Sequence, residues 1–102
     1  SPAGQPAHIT VALRTLGNPM RFEILRELNT AGPSSHGDLI RRLDSGVSQV
    51  SRYLSDLAGL GLVYAEDSRL VRGASKTVLI HPDRDALIRQ LEVLQAYGLG
   101  ES

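Results

Sequence analysis

The sequence predicts a small, mainly helical domain closed by one β-hairpin, in the order α-α-α-α-β-β-α. Three observations predict it. Apolar residues recur at helical spacing in four successive stretches between Ile9 and Leu57. The period then changes, because Leu62-Val63-Tyr64 and Thr77-Val78-Leu79-Ile80 are short runs rich in β-branched residues. From Pro82 to about Tyr97 helical spacing returns. A chain of 102 residues with 41% apolar content has the size and composition of a single globular domain. We expect that domain over residues 8–97, between a flexible lead-in at 1–7 (SPAGQPA) and a flexible end at 98–102.

The first helix is expected from Ile9, Ala12, Leu13 and Leu16, and Gly17 ends it. Asn18 then serves as an N-cap, followed by Pro19, whose missing N–H costs nothing at a first helical position. Met20, Ile24, Leu25 and Leu28 form the stripe of helix two, and Asn29 to Pro33 breaks it. Ser35 and Asp38 have the S-x-x-D spacing of a capping box, with Leu39, Ile40 and Leu43 as the buried face of helix three. Asp44, Ser45 and Gly46 make a short turn. Helix four follows from about Gly46 to Gly59, with Val47, Val50, Leu54 and Leu57 as its stripe and Gly59 and Gly61 as its end. The hairpin turns at Gly73-Ala74-Ser75. Pro82 is expected to start the last helix, with Asp83 and Asp85 suiting its dipole and Leu87, Ile88, Leu91 and Leu94 as its stripe.

Composition narrows the function. The chain has no cysteine, which excludes disulfides, thiolate metal sites, iron–sulfur clusters and thiol catalysis. No apolar run reaches the roughly 20 residues of a membrane span, and no signal-peptide pattern opens the chain. For a chain without cysteine a reduced cytoplasm is the default expectation. Eleven Lys+Arg balance eleven Asp+Glu, so nucleic-acid binding would have to rest on where the charges sit. The span 68–80 holds Arg69, Arg72 and Lys76 and no acid, whereas residues 82–102 are net acidic. A basic hairpin tip can reach phosphates or a minor groove; an ordinary solvated loop is the competing reading.

Two short helices joined by a tight turn and followed by a hairpin are laid out as in a winged helix-turn-helix. There the second helix of the pair enters the major groove. At about 100° per residue, the buried stripe of helix four centres between Val50 and Leu54, so Arg52 points away from the core. Ser48, Gln49, Ser55 and Asp56 flank it, Ser51 lies at the edge, and Tyr53 adjoins as a further candidate for DNA contact. Arg, Gln and Ser are side chains that read base edges, and serines also donate to phosphates. A solvated face normally carries good helix formers such as Glu and Lys, and this serine-rich face gives up helix propensity. Asp56 weighs against a phosphate contact unless it pairs with Arg52 one turn away. Arg41 and Arg42 on helix three could touch the backbone beside the groove.

The run Leu16-Gly17-Asn18-Pro19-Met20-Arg21-Phe22-Glu23-Ile24-Leu25-Arg26-Glu27-Leu28 resembles the L-x-x-P-x-R-x-x-I-L-x-x-L opening of ArsR/SmtB-type bacterial transcriptional repressors. Val50-Ser51-Arg52-Tyr53-Leu54-Ser55-Asp56-Leu57 with Gly61-Leu62-Val63 resembles that family's V-S-R-H-L-x-x-L…G-L-V segment, with Tyr53 replacing the usual His. The resemblance covers about residues 9–95. It implies a homodimer on a pseudopalindromic operator, paired through the first and last helices; Ile9, Leu13, Leu87, Leu91 and Leu94 are the interface candidates. Many members sense metals through a C-x-C pair just before an Asp-Leu. Asp38-Leu39 matches that Asp-Leu, so the thiolate positions fall on Ser35 and Gly37, and no thiolate site survives. The family's second metal site uses Asp and His on the last helix. Here His81-Pro82-Asp83 is either a partial ligand set or a strand end followed by a helix start. The wing between Tyr64 and Thr77 is longer than the family's usual one.

Three function classes follow. The leading one is a dimeric, sequence-specific DNA-binding repressor without metal or cofactor, its effector unidentified. It places helix 46–59 in the major groove and the 68–76 wing on the backbone or minor groove. The second is a winged-helix module that binds protein rather than DNA, supported by the zero net charge and Asp56. The third is an enzyme, for which no phosphate loop, H-E-x-x-H or G-x-S-x-G is present.

Overall fold

The computed structural model describes residues 3–68 and 77–101. Its elements are α1 (Ala7–Leu16), α2 (Pro19–Ala31), α3 (His36–Leu43), α4 (Val47–Gly59), β1 (Val63–Ser68), β2 (Thr77–Pro82) and α5 (Arg84–Gly98). The order is the one the hydrophobic periods predict.

Local chemistry sets most boundaries. Gly17 ends α1 where its N–H reaches the Leu13 carbonyl at 2.8 Å; a Cβ there would stand 2.7 Å from that same oxygen, so only glycine fits the close approach. The Asn18 side chain accepts from the Arg21 N–H at 3.0 Å and starts α2 on Pro19. Ser35 caps α3 by accepting from the Asp38 N–H at 3.1 Å. The other half of the expected capping box is spent elsewhere, since the Asp38 carboxylate pairs with Arg41 on the same helix. Gly61, at φ 73°, turns the chain out of α4 into β1.

Helix two ends at Ala31, inside the Asn29–Pro33 stretch expected to break it, and the Asn29 amide donates back to the Leu25 carbonyl at 2.9 Å. Two expectations are corrected. Pro82 closes β2, and Asp83 caps α5 by accepting from the Ala86 N–H at 3.0 Å. Val47 is 66% exposed rather than part of the buried stripe, because the first turn of α4 projects beyond the core.

The core forms where α2, α3 and α4 meet the base of the hairpin. Ile24, Leu25, Leu28, Leu39, Leu57 and Leu62 are fully buried there. Each such side chain contributes about 1.5–3 kcal/mol by leaving water. The strands pair antiparallel in the register Val63↔Pro82 to Ser68↔Thr77. A single-residue bridge joins Ser34 to Ile80 by backbone bonds of 3.0 and 2.8 Å, and so ties the α2–α3 connection to the hairpin base. The hairpin turn expected at Gly73-Ala74-Ser75 lies outside the described residues.

Helix α5 packs on α1, yet none of its residues is fully buried. Leu87 and Leu94 lie half-buried against the core, while Leu91 is 41% and Ile88 39% exposed. On α1, Leu13 is exposed as expected of an interface residue, but Ile9 is 1% exposed and already covered within a single chain. Among the described residues no helix is long and apolar enough to cross a membrane.

Candidate nucleic-acid interface

The α3–α4 connection is a tight turn. Asp44 takes the left-handed conformation (φ 49°), which Asp tolerates better than most residues, and its N–H returns to the Ile40 carbonyl. Ser45 donates from Oγ to Gln49 Oε1 at 3.1 Å and so orients that amide at the start of α4.

Helix α4 is divided cleanly. Val50, Tyr53, Leu54 and Leu57 face the core. Ser48, Gln49, Ser51, Arg52 and Ser55 are all exposed. An open depression at the N-terminal end of this face is lined by Gly46, Ser48, Gln49 and Arg52. The face therefore presents hydroxyls, a primary amide and a guanidinium, the groups that donate to and accept from purine edges and phosphates.

Tyr53 does not share that face. It is 7% exposed, belongs to the core cluster, and so is corrected from a direct contact to an inward-facing residue. Its ring is flanked by two guanidiniums, Arg21 at 5.1 Å and Arg52 at 5.4 Å from the centroid.

Asp56 does not pair with Arg52. It lies on the flank of α4 that faces α2, where Arg21 donates from Nε at 3.0 Å and from Nη2 at 2.5 Å to Oδ2. Arg21 Nη1 also reaches the Arg14 carbonyl at 3.5 Å. The pairing joins residues 35 positions apart, so no local period could reveal it. Arg21 is the residue of this site that sequence reasoning missed, although it stands in the P-x-R segment of the first motif.

The flanking cations differ in availability. Arg41 is exposed and, among the described residues, pairs only with its helical neighbour Asp38. Arg42 is exposed but engaged: it donates to Ser34 Oγ at 2.5 Å and meets Glu27 at 3.2 Å, linking α2, α3 and the bridge residue. Arg69, Arg72 and Lys76 lie outside the described residues. His81 sits in β2, stacks on Tyr64 with ring centroids 5.1 Å apart, and lies 3.6 Å from Glu66. Among the described residues no group of three His, Asp or Glu side chains could hold a metal ion.

The fold has known counterparts. A structure described as "ArsR-like Transcriptional Regulator from Rhodococcus sp. RHA1" superposes with a TM-score of 0.73 at 21% identity, covering 92% of this chain and 82% of that one. A "Possible transcriptional regulator from Methanosarcina mazei Go1" superposes with a TM-score of 0.59 at 14% identity, covering 90% and 82%. No curated protein matches the chain significantly in sequence. The fold is thus an ArsR-like winged helix. Residues 17–86, from the end of α1 to the first turn of α5, match the family described as HVO_A0114, and the chain belongs to that family.

Proposed function

We propose that this chain is a sequence-specific DNA-binding transcriptional regulator, acting in the cytoplasm as a homodimeric repressor on an inverted-repeat operator. The observation that carries the reading is the division of α4: a helix fixed by four core residues after a tight turn, with Ser48, Gln49, Ser51, Arg52 and Ser55 all outward. Such a face suits the major groove, where Arg meets guanine O6 and N7 and Gln meets adenine N6 and N7. Short serines let the helix lie deep and bond to phosphates.

Arg41 adds a backbone contact beside the groove, and Arg69, Arg72 and Lys76 give the wing its cations. Arg42 is engaged with Glu27 and Ser34, so it supports the scaffold before it supports DNA. The dimer is drawn from α5 and α1, whose Ile88, Leu91 and Leu13 remain exposed in a single chain. Two copies then present two α4 helices to successive major grooves. Repression is the outcome wherever the bound dimer overlaps the site of the transcription machinery. This is a binding role, with no reaction assigned. The alternative of a protein-binding module drew on Asp56 as an exposed acid on this face; that carboxylate is paired with Arg21, which weakens its repulsion from phosphate.

Selection of the purified protein on a pool of random duplex DNA tests the proposal. The expected result is an enriched inverted repeat with half-sites about one helical turn apart. A folded, dimeric protein that enriches no motif would overturn it.

A further inference from the structure

We infer that Tyr53 is a positioning residue for Arg52: its buried ring holds the Arg52 guanidinium in place on the flank of α4 for base reading. The inference rests on the reading of α4 as the base-reading helix and adds to it a residue that never meets DNA.

Adjacent side chains on a helix diverge and do not face each other. An unrestrained arginine at position 52 would extend into water and sample many rotamers. Instead its guanidinium carbon lies 5.4 Å from the centroid of the neighbouring ring. The ring cannot follow Arg52 outward, because Tyr53 is 7% exposed and packed in the core cluster. It is also held by a second cation, Arg21, at 5.1 Å. Arg21 is in turn fixed by two hydrogen bonds to Asp56, whose charge offsets the repulsion between two guanidiniums at one ring. The chain of restraint runs from Asp56 through Arg21 and Tyr53 to Arg52.

A guanidinium attracted to a ring face through its charge keeps N–H donors for other acceptors. Among the described residues Arg52 has no carboxylate within ion-pair distance. Exposed and without a carboxylate partner, the guanidinium keeps its donors for the groove with part of its rotamer freedom already lost. A groove-reading arginine prepared in this way orders less on binding, and the gain falls on the base pair it reads rather than on phosphate affinity.

The first measurement needs no DNA. In the nuclear magnetic resonance spectrum of the full chain, the Arg52 side-chain protons should show a ring-current upfield shift, lost in Tyr53→Leu and kept in Tyr53→Phe. Random-coil shifts for wild-type Arg52 would overturn the inference. The second uses the operator selected by the wild-type protein and the base pair at which Arg52→Ala loses discrimination. Tyr53→Leu should lower discrimination there about fivefold, the ratio that about 1 kcal/mol gives. The salt dependence should not change, and Tyr53→Phe should stay within about twofold of wild type. In an Arg52→Ala background, Tyr53→Leu should have no further effect at that position. An equal loss in both backgrounds, or full discrimination in Tyr53→Leu, would overturn the inference. Should Tyr53→Leu fail to fold by circular dichroism, Asp56→Asn, which frees Arg21, replaces it with the same expected direction. A wild-type protein that selects no motif defeats the DNA reading itself, whereas a motif with uncoupled Tyr53 defeats only this inference.

Discussion

Helices α4 and α5 are similar in length and both are amphipathic, but they leave opposite chemistry outside. Helix α4 buries Val50, Tyr53, Leu54 and Leu57 in its own chain and exposes hydroxyls, an amide and a guanidinium. Helix α5 buries nothing completely and exposes Ile88, Leu91 and Val93. A helix fully served by its own core can give its outer face to polar recognition. A helix only half served by its core has carbon left to cover. The contrast supports the division of labour proposed above, with nucleic acid as the partner of one helix and a second copy as the partner of the other.

The contrast can be broken from either side. Leu57→Ala removes a fully buried side chain from the inner face of α4. It should cost about 2–5 kcal/mol, read as a lowered midpoint in urea unfolding. Leu91→Glu places a charge on the apolar face of α5. It should leave the monomer folded, shift sedimentation from dimer to monomer, and weaken operator binding about a hundredfold as the half-sites act separately. An unchanged sedimentation coefficient would place the dimer surface elsewhere. Arg52→Ala should cost about 1–3 kcal/mol of operator affinity by fluorescence anisotropy and relax specificity at one base pair, without altering stability. Asp83→Ala removes the cap of α5 and should cost about 1 kcal/mol of stability in thermal unfolding. That smallest effect should be greater at low protein concentration, where α5 lacks a partner.

Much of this architecture was legible in the sequence because it rests on local signals. The Asn18-Pro19 start of α2, the Ser35 cap and the change of period at Leu62 are properties of neighbouring residues, and each appears where expected. The outward residues of α4 were legible for the same reason, since one period fixes both faces. The errors arise where a residue answers to a distant partner or to the limits of the core. Val47 fits the stripe by angle but lies past the core's edge. Ile9 was placed between copies, yet its own chain covers it. Asp56 has a cation one turn away and instead takes Arg21, because the flank it occupies faces α2. Tyr53 stands beside Arg52 in sequence but turns into the core, where its ring is reached by the Arg52 guanidinium instead of by DNA.

Asp83 joins the hairpin to α5. Its backbone N–H bonds to the Leu62 carbonyl at 2.9 Å, its side chain caps α5, and Pro82 before it ends β2. The same short stretch of chain thus meets the start of one strand, the end of the other and the first turn of the terminal helix. With the Ser34–Ile80 bridge on the far edge, there is no slack linker at which α5 could swing while the hairpin base stays still. In a dimer paired through α5, the crossing angle of those two helices would then act as a ruler. A change of a few degrees there would alter the gap between the two hairpins and the set of operator spacings that both can span.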